Sequence, residues 1–429
     1  MDRVLSKRNT NFFDMIEFRD YQKDIIKTGT EILFKHKFVY LAMEVRTGKT
    51  LTSLGICQEL YDIYDGIQEV LFITKKKAIS SIEDDYKAYN PDFNLTVINY
   101  ESLHKLPQKG WDVVIADEAH GMGAYPKPSG RAKKFKEFVF WSNPYVILLS
   151  GTPTPEAYSQ MYHQVYALPN NPFRKHKSFY KFAHEYINVT KLKVGGMYIN
   201  DYSRGSEKII KEMAPYTIRF SQKDAGFVVD TQEHVLEVEM EKDTSILIKK
   251  LKKDLVIEGE NEVILADTSV KLMTKVHQLC SGTIKFESGN SMVLDYSKAH
   301  FIKEKFAGKK IGIFYKFKEE LNAIKNVFGE DICQDLECFN TTDKDIALQI
   351  VSGREGISLR KADALVYYNI DFSATSYWQS RDRMTTKDRL KNDVYWVFSK
   401  DGIEKEIYKA VIKKKDYTLK HFKRDLLTL

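Results

Sequence analysis

Short apolar runs alternate with longer amphipathic stretches through the first third of the chain. The runs fall at 38–42, 70–74, 95–100, 113–116 and 146–150 and are rich in Val, Ile, Leu and Phe. Strands this short, without polar alternation, are buried on both faces, so they predict a parallel sheet covered by the intervening helices. The same pattern returns at 311–315, 346–351, 364–370 and 394–399. The fold class that follows is α/β, with two parallel-sheet lobes in tandem. Between them, from about 155 to 298, charged helical periodicity dominates, with strand candidates only near Ile218 and at 235–238. Tyr158, Tyr162 and Tyr166 recur at i, i+4 and i+8, which predicts an aromatic stripe packed along a helix. A polar stretch at 221–230 marks the expected domain break. It assigns 1–225 to an N-terminal lobe with a helical protrusion at about 156–215, and 226–429 to a C-terminal lobe with a helical segment at about 240–290.

Two of the strand ends carry chemistry. In Leu41-Ala42-Met43-Glu44-Val45-Arg46-Thr47-Gly48-Lys49-Thr50, a helix opens directly after a strand. That arrangement aims backbone N–H groups and the positive helix end at phosphate oxygens. Lys49 would neutralise the β- and γ-phosphates of a nucleoside triphosphate, and the Thr50 hydroxyl would ligate Mg²⁺. Met43 stands where a strict phosphate loop has its first glycine, and Arg46 where another glycine is frequent. The second segment, Val113-Val114-Ile115-Ala116-Asp117-Glu118-Ala119-His120, ends a buried strand in two carboxylates, at the edge where ligands of open α/β sheets bind. Asp117 is the candidate Mg²⁺ ligand and Glu118 the candidate base for the attacking water. Ser150-Gly151-Thr152-Pro153 caps the next strand beside that edge, making Ser150 and Thr152 candidate coupling residues.

Composition changes the picture little. The chain has 429 residues, 43% hydrophobic and 29% charged, enough to bury a core in each of two or three domains. Its net charge of +7 permits a phosphate-backbone partner without requiring one. The four cysteines are too scattered for a disulfide framework, and Cys333 and Cys338 lack the second pair that a zinc site needs. Cys57 and Cys280 are expected to be buried thiols. No run has the length of a bilayer span, and the first residues lack a signal-peptide core, so the expected location is the cytoplasm (host cytoplasm if the chain is viral).

Taken in order, these segments resemble the superfamily 2 DEAD/DEAH-box helicases and translocases, and within them the Swi/Snf-like branch. Phe18-Arg19-Asp20-Tyr21-Gln22 is similar to the adenine-reading segment, and 41–50 to motif I. Residues 72–77 stand in the place of motif Ia, Asn99-Tyr100-Glu101-Ser102-Leu103 in that of Ib, 117–120 in that of II and 150–155 in that of III. The stretch 213–220 resembles the basic segment that closes the first lobe. Later, 311–317, 352–359 and 377–383 resemble motifs IV, V and VI. The resemblance implies two RecA-like lobes and a helical insertion after motif III. It implies ATP and Mg²⁺ as cofactors, and nucleotide contacts from Arg19, Gln22, Arg46, Thr47, Gly48, Lys49, Thr50 and Gly356. Gln379 and Arg383 would act on the triphosphate alongside Lys49 and Glu118. Lys75, Lys76, Lys77, Tyr100 and Ser352 would meet nucleic acid. Motif VI carries a second arginine in the family; here that position is Thr386, with Arg381, Lys387 and Arg389 as candidate substitutes.

The implied activity is an ATP-driven motor on nucleic acid, foremost a translocase or remodeller of double-stranded or branched DNA. Alternatives are a strand-separating DNA or RNA helicase, and an ATP-gated DNA-binding module that recruits replication or recombination proteins. A motor subunit of a restriction complex is a third. Small size and a Lys-, Ile- and Tyr-rich composition are similar to compact bacteriophage-encoded members.

Overall fold

The computed structural model describes residues 17–63, 66–106, 110–194, 197–226, 230–353, 358–373, 376–377, 380–384 and 391–413, without the side chains of 192–194, 197, 230, 352–353 and 382–383. The chain divides into two compact units, Met1–Ala225 and Gly226–Leu429.

The first unit is built on six parallel strands. In chain order they are β1 (Phe38–Met43), β2 (Glu69–Thr74), β3 (Asn94–Asn99), β4 (Val113–Ala116), β5 (Tyr145–Leu149) and, after an antiparallel hairpin of β6 (Thr190–Val194) and β7 (Met197–Asp201), β8 (Thr217–Phe220). Their spatial order is β3-β2-β4-β5-β1-β8. Alternate residues of each central strand feed two separate cores. Val39, Leu41 and Met43 pack with α1 (Asp20–His36) and α2 (Lys49–Ile63), whereas Phe38 and Tyr40 pack with α4 (Gly130–Ser142) and the segment beyond β5. All five runs predicted in this third of the chain are strands. Because β5 lies between β4 and β1, the loops that leave these three strands emerge side by side.

The stretch at 156–215 is less helical than its charge periodicity predicts. It holds α5 (Met161–Val165), α6 (Phe179–Tyr186) and α7 (Lys208–Met213), with the β6–β7 hairpin among them. Thr190, Val194 and Ile199 are β-branched and stiff in a helix, and the sequence between the two strands is Gly195-Gly196. Of the tyrosine stripe only Tyr162 is core packing, since Tyr166 is half-buried and Tyr158 is exposed ahead of α5. Tyr162 is buried against Phe182, with ring centroids 4.8 Å apart, and its hydroxyl donates to the His176 carbonyl at 2.8 Å.

The second unit repeats the plan in the order β15-β16-β14-β17-β18-β9, again all parallel. These strands are β9 (Asp230–Val238), β14 (Ile311–Tyr315), β15 (Ile332–Cys333), β16 (Asp345–Gln349), β17 (Ala364–Tyr367) and β18 (Lys391–Ser399). The helical segment expected at 240–290 is two helices, α8 (Lys242–Asp254) and α9 (Ser269–Cys280), separated and followed by two small hairpins. These are β10 (Val256–Glu258) with β11 (Val263–Leu265), and β12 (Thr283–Lys285) with β13 (Ser291–Val293). Beneath the sheet, Lys298 and Glu404 form an ion pair at 2.7 Å with both side chains fully buried. Lys298 also donates to the Tyr368 carbonyl at 3.2 Å, and Glu404 accepts from the Ser399 hydroxyl at 3.0 Å.

A buried pair of this kind is costly to break from one side, because the remaining charge keeps its desolvation penalty. Glu404→Ala is therefore expected to cost about 3–5 kcal/mol in urea unfolding, and Lys298→Met combined with Glu404→Leu to recover most of that. A double variant as unstable as the single one would show that the pair contributes more than mutual neutralisation.

Candidate functional site

The loop between β1 and α2 is shaped by two residues with positive φ, Arg46 at 64° and Gly48 at 81°. Arg46 accepts the left-handed conformation in a position that suits glycine, which is how the loop turns with one glycine fewer than usual. Thr47 is buried, and its hydroxyl donates to the Glu44 carbonyl at 2.7 Å. Lys49 stands at the start of α2 and donates from Nζ to the same carbonyl at 3.1 Å. Thr50 follows on the first turn, so a cation, a hydroxyl and the free N–H groups of a helix start share one loop. Gly151, after β5, packs against this loop: a Cβ there would lie 3.5 Å from the Met43 carbonyl and 3.7 Å from Lys49 Nζ.

Asp117 and Glu118 leave the end of β4 close by. Asp117 accepts from the Thr74 hydroxyl at 2.9 Å, and its carbonyl accepts from the Tyr100 hydroxyl at 2.8 Å. Burial, and then the neighbouring Glu118 charge, push the Asp117 carboxyl up to about 6. Burial acts in the same sense on Glu118, but His120 and the charges of Lys75 and Lys49 outweigh it and hold Glu118 below the usual carboxylate range. Glu118 adopts φ 50° and ψ 45°, which turns its side chain back toward His120. His120 Nδ1 lies 3.1 Å from Glu118 Oε2 and 3.0 Å from the Ser150 hydroxyl. The Ser150 oxygen also accepts from the Thr152 N–H at 3.2 Å. Ser150 and Thr152 are thus joined to the acidic segment through one imidazole.

The donor set fits a triphosphate with a divalent cation. The His120 imidazole, 3.1 Å from Glu118 Oε2, orients the carboxylate and helps to keep it ionised. Asp117, whose carboxyl is raised by burial and like charge, would be stabilised in its ionised form by a dication. Thr50 and Asp117 are the residues that would hold Mg²⁺.

Other expected residues are placed differently. Gln22 is buried, and its amide donates to Thr52 at 3.2 Å and to the Gly48 carbonyl at 3.4 Å while accepting from the Arg19 N–H at 3.1 Å. It braces the phosphate loop in this conformation and does not present a free amide to a base. Arg19 is exposed and donates to the Tyr21 hydroxyl at 2.7 Å, which in turn donates to the Thr47 carbonyl at 3.2 Å. Tyr100, expected at a nucleic-acid surface, is 2% exposed; it lies beneath Asp117 as a support. Lys76 and Lys77 are exposed after β2, whereas the Lys75 charge acts on Glu118.

A missed element is the exit segment of the first unit. The Gln222 N–H donates to Glu44 Oε2 at 2.8 Å and its amide to the Val45 carbonyl at 3.0 Å, while Phe220 stacks on Tyr21 at 4.6 Å. The glutamate before the loop was legible; its partner 178 residues away had no local pattern to betray it.

In the second unit, Gly356, Gln379, Thr386, Lys387 and Arg389 lie outside the described residues, as do the side chains of Ser352 and Arg383. Arg381, one candidate for the missing second arginine, donates to Glu233 Oε1 at 2.9 Å. It is committed to a carboxylate of its own unit and is not a free finger.

A family model described as an SNF2-related domain matches residues 91–283, and one described as type III restriction enzyme, res subunit, matches residues 15–155. No curated protein matches the chain. Among solved structures, the Sulfolobus solfataricus SWI2/SNF2 ATPase core in complex with dsDNA is 15% identical, with 96% of this chain and 93% of that chain covered and a TM-score of 0.43. The Sulfolobus solfataricus SWI2/SNF2 ATPase core domain gives 15% identity, 96% and 92% coverage, and a TM-score of 0.41.

The geometry of Gly48 carries a prediction. A Cβ there would meet Gln22 Nε2 at 2.6 Å, on a backbone at φ 81°. Left-handed strain of about 1–2 kcal/mol is then added to the displaced Gln22 brace. Gly48→Ala should leave the far-ultraviolet dichroism unchanged and weaken binding of a fluorescent ATP analogue at least about tenfold, which is about 1.4 kcal/mol. Unchanged affinity would mean that the loop is rebuilt on binding.

Proposed function

We propose that this chain, which belongs to the Swi/Snf-like branch of the superfamily 2 helicases and hydrolyses ATP, moves along double-stranded or branched DNA without fully separating its strands. Residues 1–225 are then the ATP-binding lobe and 226–429 the helicase lobe, and hydrolysis drives their closing and opening. The observation that carries the hydrolytic half is the arrangement around Glu118. It is a carboxylate held below its usual range by His120, beside a phosphate loop whose lysine also helps to hold it charged. The match to an SNF2-related domain supports duplex DNA as the track.

In this mechanism Lys49 and the N–H groups at the start of α2 hold the β- and γ-phosphates. Glu118 orients the attacking water and takes its proton, with the charge of the departing phosphate met by Lys49. Mg²⁺, held by Thr50 and Asp117, would supply charge neutralisation between the phosphates. His120 connects the state of Glu118 to Ser150 and Thr152, the coupling elements of the first lobe. Gln379, Arg383 and Gly356 contribute from the second lobe. Lys76 and Lys77, exposed after β2, contact the DNA backbone, which calls for cations and not base readers. The match to a restriction res subunit favours a second reading, a motor that serves a separate nuclease partner.

Lys49→Ala should weaken nucleotide binding, whereas Glu118→Gln should bind ATP normally and lose about 10²–10⁴ in turnover. Hydrolysis at the parental rate in Glu118→Gln would mean that another group is the base. ATPase stimulation by duplex DNA, single-stranded DNA and RNA, read beside triplex displacement and fork unwinding, tests the track. Duplex stimulation with triplex displacement and no unwinding is the expected result; stimulation by RNA alone would overturn the duplex assignment.

A further inference from the structure

Glu233 lies on β9, the edge strand that opens the second unit and pairs only with β18. A carboxylate on an edge strand is ordinarily solvated, yet this side chain is only 14% exposed. Four donors converge on it. Tyr377 Oη reaches both carboxylate oxygens, at 2.7 and 2.8 Å, and Arg381 NH1 reaches Oε1 at 2.9 Å. The Trp396 indole N–H reaches Oε2 at 2.9 Å and Tyr408 Oη at 3.0 Å. Trp396 belongs to β18 and Tyr408 to the helix Glu404–Val411, so those two fix the cage to the body of the lobe. Tyr377 and Arg381 belong to the segment that resembles motif VI, and they are what the cage holds.

That segment is fastened at further points. The Ser376 hydroxyl donates to Asp371, itself paired with Lys316 at 2.5 Å, and the Tyr367 hydroxyl donates to Ser380 at 2.6 Å. The 3₁₀ turn Arg381–Met384 then carries Arg383. On one side of it Arg381 is tied to Glu233; on the other, Met384 is fully buried in the core. The backbone at Arg383 is therefore held from both directions, and on the near side the holding charge is that of Glu233.

We infer that Glu233 is a positioning residue for ATP hydrolysis: through Arg381 it sets the turn that delivers Arg383 to the triphosphate. Glu233 acts in this way only if Arg383 reaches ATP, as proposed above. The placement of such an arginine before the reaction matters, because misplacement by about 1 Å can cost about 10²-fold.

The test uses the full chain with saturating duplex DNA and measures kcat and KM for ATP alongside the thermal midpoint. Glu233→Gln keeps the volume and removes the charge that grips Arg381. It is expected to lower kcat about tenfold or more with KM little changed. Arg381→Met, which removes the strut while keeping Glu233, should reproduce that loss if Glu233→Gln folds poorly. In an Arg383→Ala background, Glu233→Gln should lower kcat no further, whereas a merely structural role would lower it again. Multiplying losses, or an unchanged kcat in both Glu233→Gln and Arg381→Met, overturns the inference while leaving Arg383 in its proposed role. An unimpaired Arg383→Ala overturns that role, and the inference with it.

Discussion

Two adjacent carboxylates at a buried sheet edge repel each other and are starved of water, and the first unit is arranged around that conflict. Asp117 and Glu118 cannot both be ionised cheaply there. The structure resolves them unequally. Glu118 receives His120 and the fields of Lys75 and Lys49, so it stays charged; Asp117 receives a hydroxyl from Thr74 and stays raised. A water needs a charged base, which Glu118 supplies, and a dication beside Asp117 would offset the burial and like charge that raise it. Strand order makes it possible. With β5 between β4 and β1, the acidic segment, the serine cap and the phosphate loop stand in a row, and a lysine on one loop acts on the acid of another.

The second unit meets the same difficulty with fixed partners. Glu404 is neutralised by Lys298, and Glu233 by Arg381 with three further donors. These two acids of the second lobe thus hold elements in place.

How far the sequence discloses this follows from local pattern. Strands buried on both faces announce themselves as apolar runs, and all five in the first third were legible. Strand β9 was read only at 235–238 because Gln232, Glu233 and Glu237 interrupt its apolar pattern, as expected of an edge. Lys49, Asp117, Glu118 and Ser150 were picked out because strand-end position and residue type together imply chemistry, and the structure brings them to one sheet edge. Tyr100 and Gln22 were misplaced for a common reason: a polar side chain near a site was read as facing the ligand, when each supports the backbone beneath it. The hairpin at β6–β7 was hidden by charge periodicity that mimics a helix. Contacts distant in sequence, such as Arg381 with Glu233 across 148 residues, leave no local trace at all.

The tie between Glu44 and Gln222 joins the exit of the first unit to its phosphate loop. Strand β8 lies on the outer edge of the first sheet beside β1, with Met43 opposite Phe220. The Glu44 N–H then donates to the Phe220 carbonyl at 2.9 Å, extending the ladder one residue into the phosphate loop. Beyond it, the Glu44 side chain takes the Gln222 N–H, and Gly226 begins the second unit. The segment that leaves the first unit is therefore bonded to the loop that would close on phosphate. Glu44 and Val45 are thus each hydrogen-bonded to Gln222. Tyr21 reinforces the path, stacking on Phe220 while its hydroxyl holds the Thr47 carbonyl. The exit segment of the first unit is thereby hydrogen-bonded to the phosphate loop itself.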